Sequence, residues 1–249
     1  MRFLMIILMS FVIGTSSFAG TLPNIIHVKS SGEGDWYQQG TGFFIDGQGD
    51  LVTAQHVVDG ANPKKITIIY NNTHYLATIK AQDSNYDVAI LHINATDTPY
   101  FKITDPIDHE VATILGFPAV DHFGQYVHVT QGEVALDNVT FDSYSIFGKA
   151  CHGNSGGPVI NNSGDVIGVL VWGFDDYGML SEDQLCSFHS GARFTTHMLE
   201  MAKQLNLPIS YSKLPSNSVL SGLDLMSSII YQSKVVVIFA QVDSKDSGE

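Results

Sequence analysis

Gly153-Asn154-Ser155-Gly156-Gly157-Pro158 places one hydroxyl nucleophile on a glycine-rich turn. A serine hydroxyl is a weak nucleophile at its free pKa and needs a base beside it. The flanking glycines have no Cβ, so the backbone can bend sharply and another chain can come close. Such a bend can aim the amides of Gly153 and Ser155 at one point, where a developing oxyanion would be stabilised. Taken alone, the stretch reads equally well as a polar turn. The remainder of the chain decides between the two.

A serine nucleophile needs a histidine base, and the base needs an orienting carboxylate. Of the ten histidines, His56 has the most telling surroundings, Leu51-Val52-Thr53-Ala54-Gln55-His56-Val57-Val58. There an apolar strand runs into a short turn that would fix the ring at the edge of a packed sheet. The carboxylate is Asp87, which opens the apolar strand Asp87-Val88-Ala89-Ile90-Leu91. A carboxylate at such a place is partly buried and needs a partner, because an unpaired buried charge is costly. An imidazole N–H supplies one. The chain order His56, Asp87, Ser155 is that of the chymotrypsin-type triad, as opposed to other Ser-His-Asp folds.

Thr53-Ala54-Gln55-His56, Asp87-Val88-Ala89-Ile90-Leu91 and Gly153-Asn154-Ser155-Gly156-Gly157-Pro158 resemble the three motifs of trypsin-fold serine peptidases. Gly40-Thr41-Gly42-Phe43-Phe44-Ile45, together with Asn154, is most similar to the bacterial HtrA-type and glutamyl-endopeptidase-type branches. The resemblance runs from Ile25 to Leu205. It implies a secreted serine endopeptidase that cleaves polypeptide substrates through an acyl-enzyme and uses no cofactor. His56 would be the base, Asp87 its orienting partner and Ser155 the nucleophile, with Gly153 and Ser155 forming the oxyanion hole. Digestive relatives place an Asp before the nucleophile, and a newly cut N-terminal amine pairs with it. Asn154 cannot form that ion pair, so the resemblance implies activity without N-terminal processing. A non-catalytic trypsin-fold binding module and an esterase are the rival readings. The presence of all three triad residues speaks against the first.

The strand pattern agrees with the fold implied. Apolar or alternating runs occur at Ile25–Lys29, Trp36–Ile45, Leu51–Ala54, Lys65–Tyr70, His74–Lys80 and Asp87–His92. A second set lies at Val111–Gly116, Gln125–Ala135, Thr140–Ile146, Gly157–Asn161, Asp165–Trp172 and Gln184–Thr195. Gly, Asn and Asp separate the runs, as turns require. Six and six suit two small antiparallel barrels, an all-β double barrel. Barrel one would span residues 23–100 and barrel two 108–196, with a C-terminal helix over 197–205, all within a peptidase domain of residues 20–206. The helix rests on Met198, Leu199, Met201, Ala202 and Leu205 at helical spacing, capped by Thr195 or Thr196. The triad would then assemble across the cleft between barrels, a common place for ligand sites.

Arg2, the apolar run Phe3–Ile13 and the small-residue end Ser17-Phe18-Ala19 describe a secretory signal peptide over residues 1–19. The apolar run is too short to span a membrane comfortably. A secreted or periplasmic product with no membrane attachment after cleavage is expected. The net charge of −13 disfavours nucleic acid and anionic lipid as partners. In the tail, residues 207–249, the apolar run Val235–Ala240 reads as an added strand packed on barrel two. Those residues are too few for the peptide-binding module that often follows HtrA-type domains.

Cys151 and Cys186 lie near the pocket by sequence. An exported chain favours a disulfide between them, and two reduced buried thiols are the alternative. Chymotrypsin-like relatives have a cystine in a similar place. Lys149, six residues before the nucleophile, stands where trypsin-like enzymes place the residue at the base of the specificity pocket, and an exposed Lys on a loop is the equal alternative. His152, Trp172 and Gly173 are its other candidate walls. Asp175, Asp176, Glu182 and Asp183 form a solvated acidic turn without calcium-ligand spacing. No H-x-x-x-H spacing points to zinc, so no metal is expected. Asn71, Asn94, Asn138 and Asn161 head N-x-Ser/Thr sequons.

Overall fold

The computed structural model describes residues 36–242, except 72, 125, 141–142, 176–177, 180–185, 188 and 214–234. The expected signal peptide and the expected strand Ile25–Lys29 lie outside the described residues. So do Asp176, Glu182 and Asp183.

The first half of the chain forms β1 (Trp36–Phe44), β2 (Asp50–Thr53), β3 (Ala61–Tyr70), β4 (Thr73–Leu76), β5 (Thr78–Asp83) and β6 (Val88–His92). The second half forms β7 (Val111–Gly116), α1 (Val120–Phe123), β8 (His128–Thr140), β9 (Ser143–Gly148) and β10 (Ala150–Cys151). It continues with β11 (Pro158–Ile160), β12 (Val166–Asp175), β13 (Gly178–Met179), β14 (Cys186–Ser187), β15 (His189–Phe194) and α2 (Thr195–Gln204). The tail contributes β16 (Val235–Val242).

The second sheet runs β11-β7-β8-β9-β15-β12-β13, and pairing of β11 with β12 closes six of its strands into a barrel. The first sheet runs β4-β3-β16-β1-β2-β6-β5. It holds the six first-half strands plus the tail strand, which sits between β1 and β3 and is antiparallel to both. The tail strand therefore joins the first sheet and not the second barrel, where it is expected from the sequence. An apolar run of six shows that a strand exists, but the choice of partner is made by a non-local register that one segment does not encode.

Period-two alternation explains how the sheets share their cores. In β6, Val88 and Ile90 point to one cluster, with Phe43, Val52, Phe101, Leu115, Ile160, Val166, Val169, Met198 and Ala202. The intervening Ala89 and Leu91 enter another, with Phe44, Leu51, Val57, Ile66 and Ile68. Val88, Ala89, Ile90 and Leu91 are all 0% exposed, so this strand is covered on both faces. The first of these clusters draws on both sheets and on α2, and it fixes one half of the molecule against the other. Each buried Val, Leu, Ile or Phe contributes roughly 1.5–3 kcal/mol. A third cluster fills the second barrel around Ile114, Val134, Tyr144, Ile146, Val159 and Ile167. Tyr144 is fully buried there, and its hydroxyl donates to Ile167 O at 3.0 Å, which satisfies its polar end. Burial raises its pKa well above the usual tyrosine value.

Helix α2 starts at Thr195, earlier than its periodicity indicates, and no side chain caps it. The Thr195 hydroxyl is buried and directed instead at the carbonyl of Thr104 in the inter-barrel connection, at 3.4 Å. Met198 and Ala202 are buried on the helix face turned to the shared core.

Candidate active site

His56 lies in a single 3-10 turn, Gln55–Val57, directly after β2. Val57 is buried in the first-sheet core, which anchors the turn, while His56 stays exposed. The Gln38 carboxamide, oriented to satisfy both carbonyls, donates to His56 O at 2.7 Å and Val57 O at 3.1 Å. Asp87 sits immediately before β6 with φ +52°, in the left-handed region that Asp tolerates better than most residues. There one carboxylate oxygen accepts from the His56 amide at 2.8 Å and the other faces His56 Nδ1 at 2.7 Å. The carboxylate thus holds both the backbone and the ring of the same histidine. With Nδ1 engaged, Nε2 is the ring nitrogen available as acceptor.

Ser155 comes from the other half, in the turn between β10 and β11. Its neighbours depend on two left-handed glycines. Gly153 has φ +91° and Gly156 has φ +83°. A Cβ on Gly156 would strike Thr53 Oγ1 and Thr41 O. The polar groups of this turn can be accounted for one by one. Asn154 N donates to Cys151 O at 3.0 Å, Gly156 N to Leu170 O at 2.6 Å and Gly157 N to Asn154 O at 2.9 Å. The carbonyl of His152 accepts from Ala119 N at 2.7 Å, that of Gly153 from Thr41 Oγ1 at 2.7 Å and that of Ser155 from Thr41 N at 2.8 Å. Among the described residues, the amides of Gly153 and Ser155 donate to none of these acceptors. In a trans peptide the C=O and N–H point in opposite directions. Fixing His152 O on Ala119 and Asn154 O inside the turn therefore turns both free amides the other way.

A cavity of about 390 Å³ joins the pieces. It is lined by Gln38, Gln39, His56, Val57, Ala119, His152, Gly153 and Ser155. His56 and Ser155 thus face one space, although no hydrogen bond joins them in it. Asp87 lies behind His56, away from the lining.

Of the residues expected to form a specificity pocket, His152 is exposed and lines the cavity. Lys149 is exposed and does not line it. Its carbonyl accepts from Thr130 Oγ1 at 2.7 Å. Trp172 and Gly173 lie in β12, with Cα partners Gly191 and Ser190 in β15, and the Trp172 side chain is outside the described residues. Cys151 and Cys186 form a disulfide across β10 and β14. Asn154 holds the turn through its backbone, while its side-chain Oδ1 is buried without a partner. Sequence reasoning passes over Gln38, Gln39 and Ala119. The glutamines directly precede the Gly40-Thr41-Gly42 motif, which is a usable signal. Ala119 takes φ +31° as the N-cap of α1, and an alanine gives no sign of that. Among the described residues, no group of three or more His, Cys, Asp or Glu is placed to hold a metal ion. None of their helices is long and apolar enough to cross a membrane.

Residues 40–169, more than half of the chain, match the family described as trypsin-like peptidase domain. A probable periplasmic serine endoprotease, DegP-like, from Chlamydia trachomatis is 32% identical over 141 residues, which is 53% of this chain and 27% of that protein. Serine protease HTR4 of Rattus norvegicus is 30% identical over 168 residues, 59% of this chain and 33% of that protein. The chain therefore spans about a third or less of the length of these relatives. Among solved structures, the HtrA-type protease AlgW with a decapeptide superposes with a TM-score of 0.55 at 23% identity, over 67% of this chain and 51% of that one. The serine endoprotease from Yersinia pestis gives 0.54 at 24% identity, over 67% and 57%. At those identities the likeness supports the double-barrel fold.

Proposed function

Because the chain belongs to the trypsin-like peptidase family, we propose that it is an exported HtrA-type serine endopeptidase acting on polypeptides. The observation that carries this reading is Asp87 engaging His56 Nδ1 at 2.7 Å while His56 and Ser155 line one cavity. His56 Nε2 takes the Ser155 proton as Oγ attacks the scissile carbonyl. Asp87 holds the tautomer and stabilises the imidazolium that forms. The carbonyl oxygen, now negative, is received by the amides of Gly153 and Ser155, the two donors that the turn leaves free. The protonated His56 then delivers its proton to the leaving amine, and an acyl-Ser155 remains. Water attacks that ester with His56 again as base, His56 returns the proton to Ser155 Oγ, and the acid product leaves. Gln38, Gln39 and His152 line the cavity beside the reacting bond, where a peptide backbone would lie.

Export is supported by the basic and apolar start of the sequence, by the disulfide and by the periplasmic DegP-like relative named above. Ser155→Ala is the test. It should keep the thermal midpoint and the circular dichroism spectrum of the parent. Cleavage of casein should fall to the residual rate from binding and the oxyanion hole, about 10³–10⁴ over water. A Ser155→Ala protein that cleaves casein at the parental rate removes the proposed mechanism.

A further inference from the structure

Thr41 plays no part in the chemistry just described, yet it makes four hydrogen bonds around the nucleophile. The residue is 0% exposed. Its amide donates to Ser155 O at 2.8 Å, and its hydroxyl donates to Gly153 O at 2.7 Å. The same hydroxyl accepts from Phe117 N at 3.0 Å, and Thr41 O accepts from Thr53 Oγ1 at 2.8 Å. Its two donors thus bracket the nucleophile turn from the opposite barrel, across 112 residues of sequence. Gly116 gives the hydroxyl its space, since a Cβ there would come within 3.0 Å of Thr41 Oγ1 and 2.9 Å of Asn154 Oδ1.

We infer that Thr41 is a positioning residue whose hydroxyl, by holding Gly153 O, fixes the peptide that joins the two oxyanion-binding amides. The inference rests on the proposed peptidase reading. Gly153 N precedes the held carbonyl within the same residue, and Ser155 N lies one peptide beyond it. With φ at +91°, Gly153 has wide conformational freedom, so the turn needs an outside tether. Only a neutral donor fits the place: Gly153 O and Phe117 N demand a group that donates and accepts at once, as a hydroxyl does. The strand that carries Thr41 also carries Gln38 and Gln39, so one element sets the cavity wall, the turn of the base and the turn of the nucleophile.

The experiment compares Thr41→Val, which keeps the shape and removes the hydroxyl, with Thr41→Ser, which keeps the hydroxyl. Folded sites are counted by fluorophosphonate labelling carried to completion. The kcat per site and KM are then measured on a peptide substrate. A misplacement of about 1 Å at a catalytic group can cost about 10²-fold. Thr41→Val should lose about that factor in kcat per site with KM within about twofold, and Thr41→Ser should stay within about threefold of the parent. A merely structural role would lower the number of folded sites and leave kcat per site unchanged, which overturns the inference. Equal losses in both variants overturn it too, since the hydroxyl is then not the agent. If Thr41→Val yields no folded sites, Thr41→Cys keeps the volume with a weak donor. A parental kcat per site in that variant rejects the inference, and a reduced one supports it. Failure of the peptidase reading shows separately, as a parent that neither labels nor turns over.

Discussion

At Gly153 three constraints meet on one backbone atom. The residue has φ +91°, and a Cβ there would lie 2.5 Å from Phe117 O, 2.8 Å from Gln39 Nε2 and 2.9 Å from Ala119 N. Two of those neighbours are backbone and cannot give way, so Gly153→Ala must move the turn. The expected result is a loss of about 10²–10³ in kcat, the cost of one oxyanion donor, with the fold retained. Steady-state kinetics together with a melting curve check it, and parental kcat would show that Gly153 N does not serve the reaction. This residue was legible in the sequence because a glycine two places before a nucleophile marks a backbone bend that a side chain would block. Ala119, whose left-handed backbone presents its amide to His152 O, was not. An L-residue there carries no mark of the conformation that the surrounding loop imposes on it.

At the level of elements, strand existence was readable and strand partnership was not. Unbroken apolar runs located β2 and β6, because each strand buries both faces, one in each of two cores. The run expected as one strand over His74–Lys80 is split at Ala77, whose amide donates to Ile66 O at 2.8 Å. Strand β16 is the larger lesson. It pairs with β1 from Trp36↔Val242 to Phe43↔Val235, in the very region that holds Gln38, Gln39 and Thr41. Removing residues 235–249 would leave those groups on a strand with one unpaired edge, open to pairing with other chains. A chain ending at Lys234 should melt at a lower temperature, show larger species by light scattering and lose activity. Parental melting and turnover in that truncation would mean that β16 contributes nothing to the first sheet.

In the whole molecule, two sheets bring together groups that neither could use alone. His56 and Asp87 belong to the first half, Ser155 and its free amides to the second, and the shared core around Phe43, Ile90, Leu115 and Val169 fixes their separation. The order of the three motifs pointed to His56, Asp87 and Ser155 in advance, since each motif has its own residue signature, and the structure places His56 beside Asp87 and on one cavity with Ser155. The full cavity lining was not legible, because Gln38, Gln39 and Ala119 reach it from segments that only distant contacts bring together. Lys149 shows this, as it stands at the expected sequence distance yet lies outside the cavity lining. The most direct measurement of the central claim is the site of fluorophosphonate attack. Treated parent should gain one adduct per chain, mapped by peptide mass spectrometry to Ser155, and His56→Ala should remain unlabelled over the same interval. An absent adduct, an adduct on another residue, or equal labelling of His56→Ala would contradict the assembly of His56, Asp87 and Ser155 into a working triad.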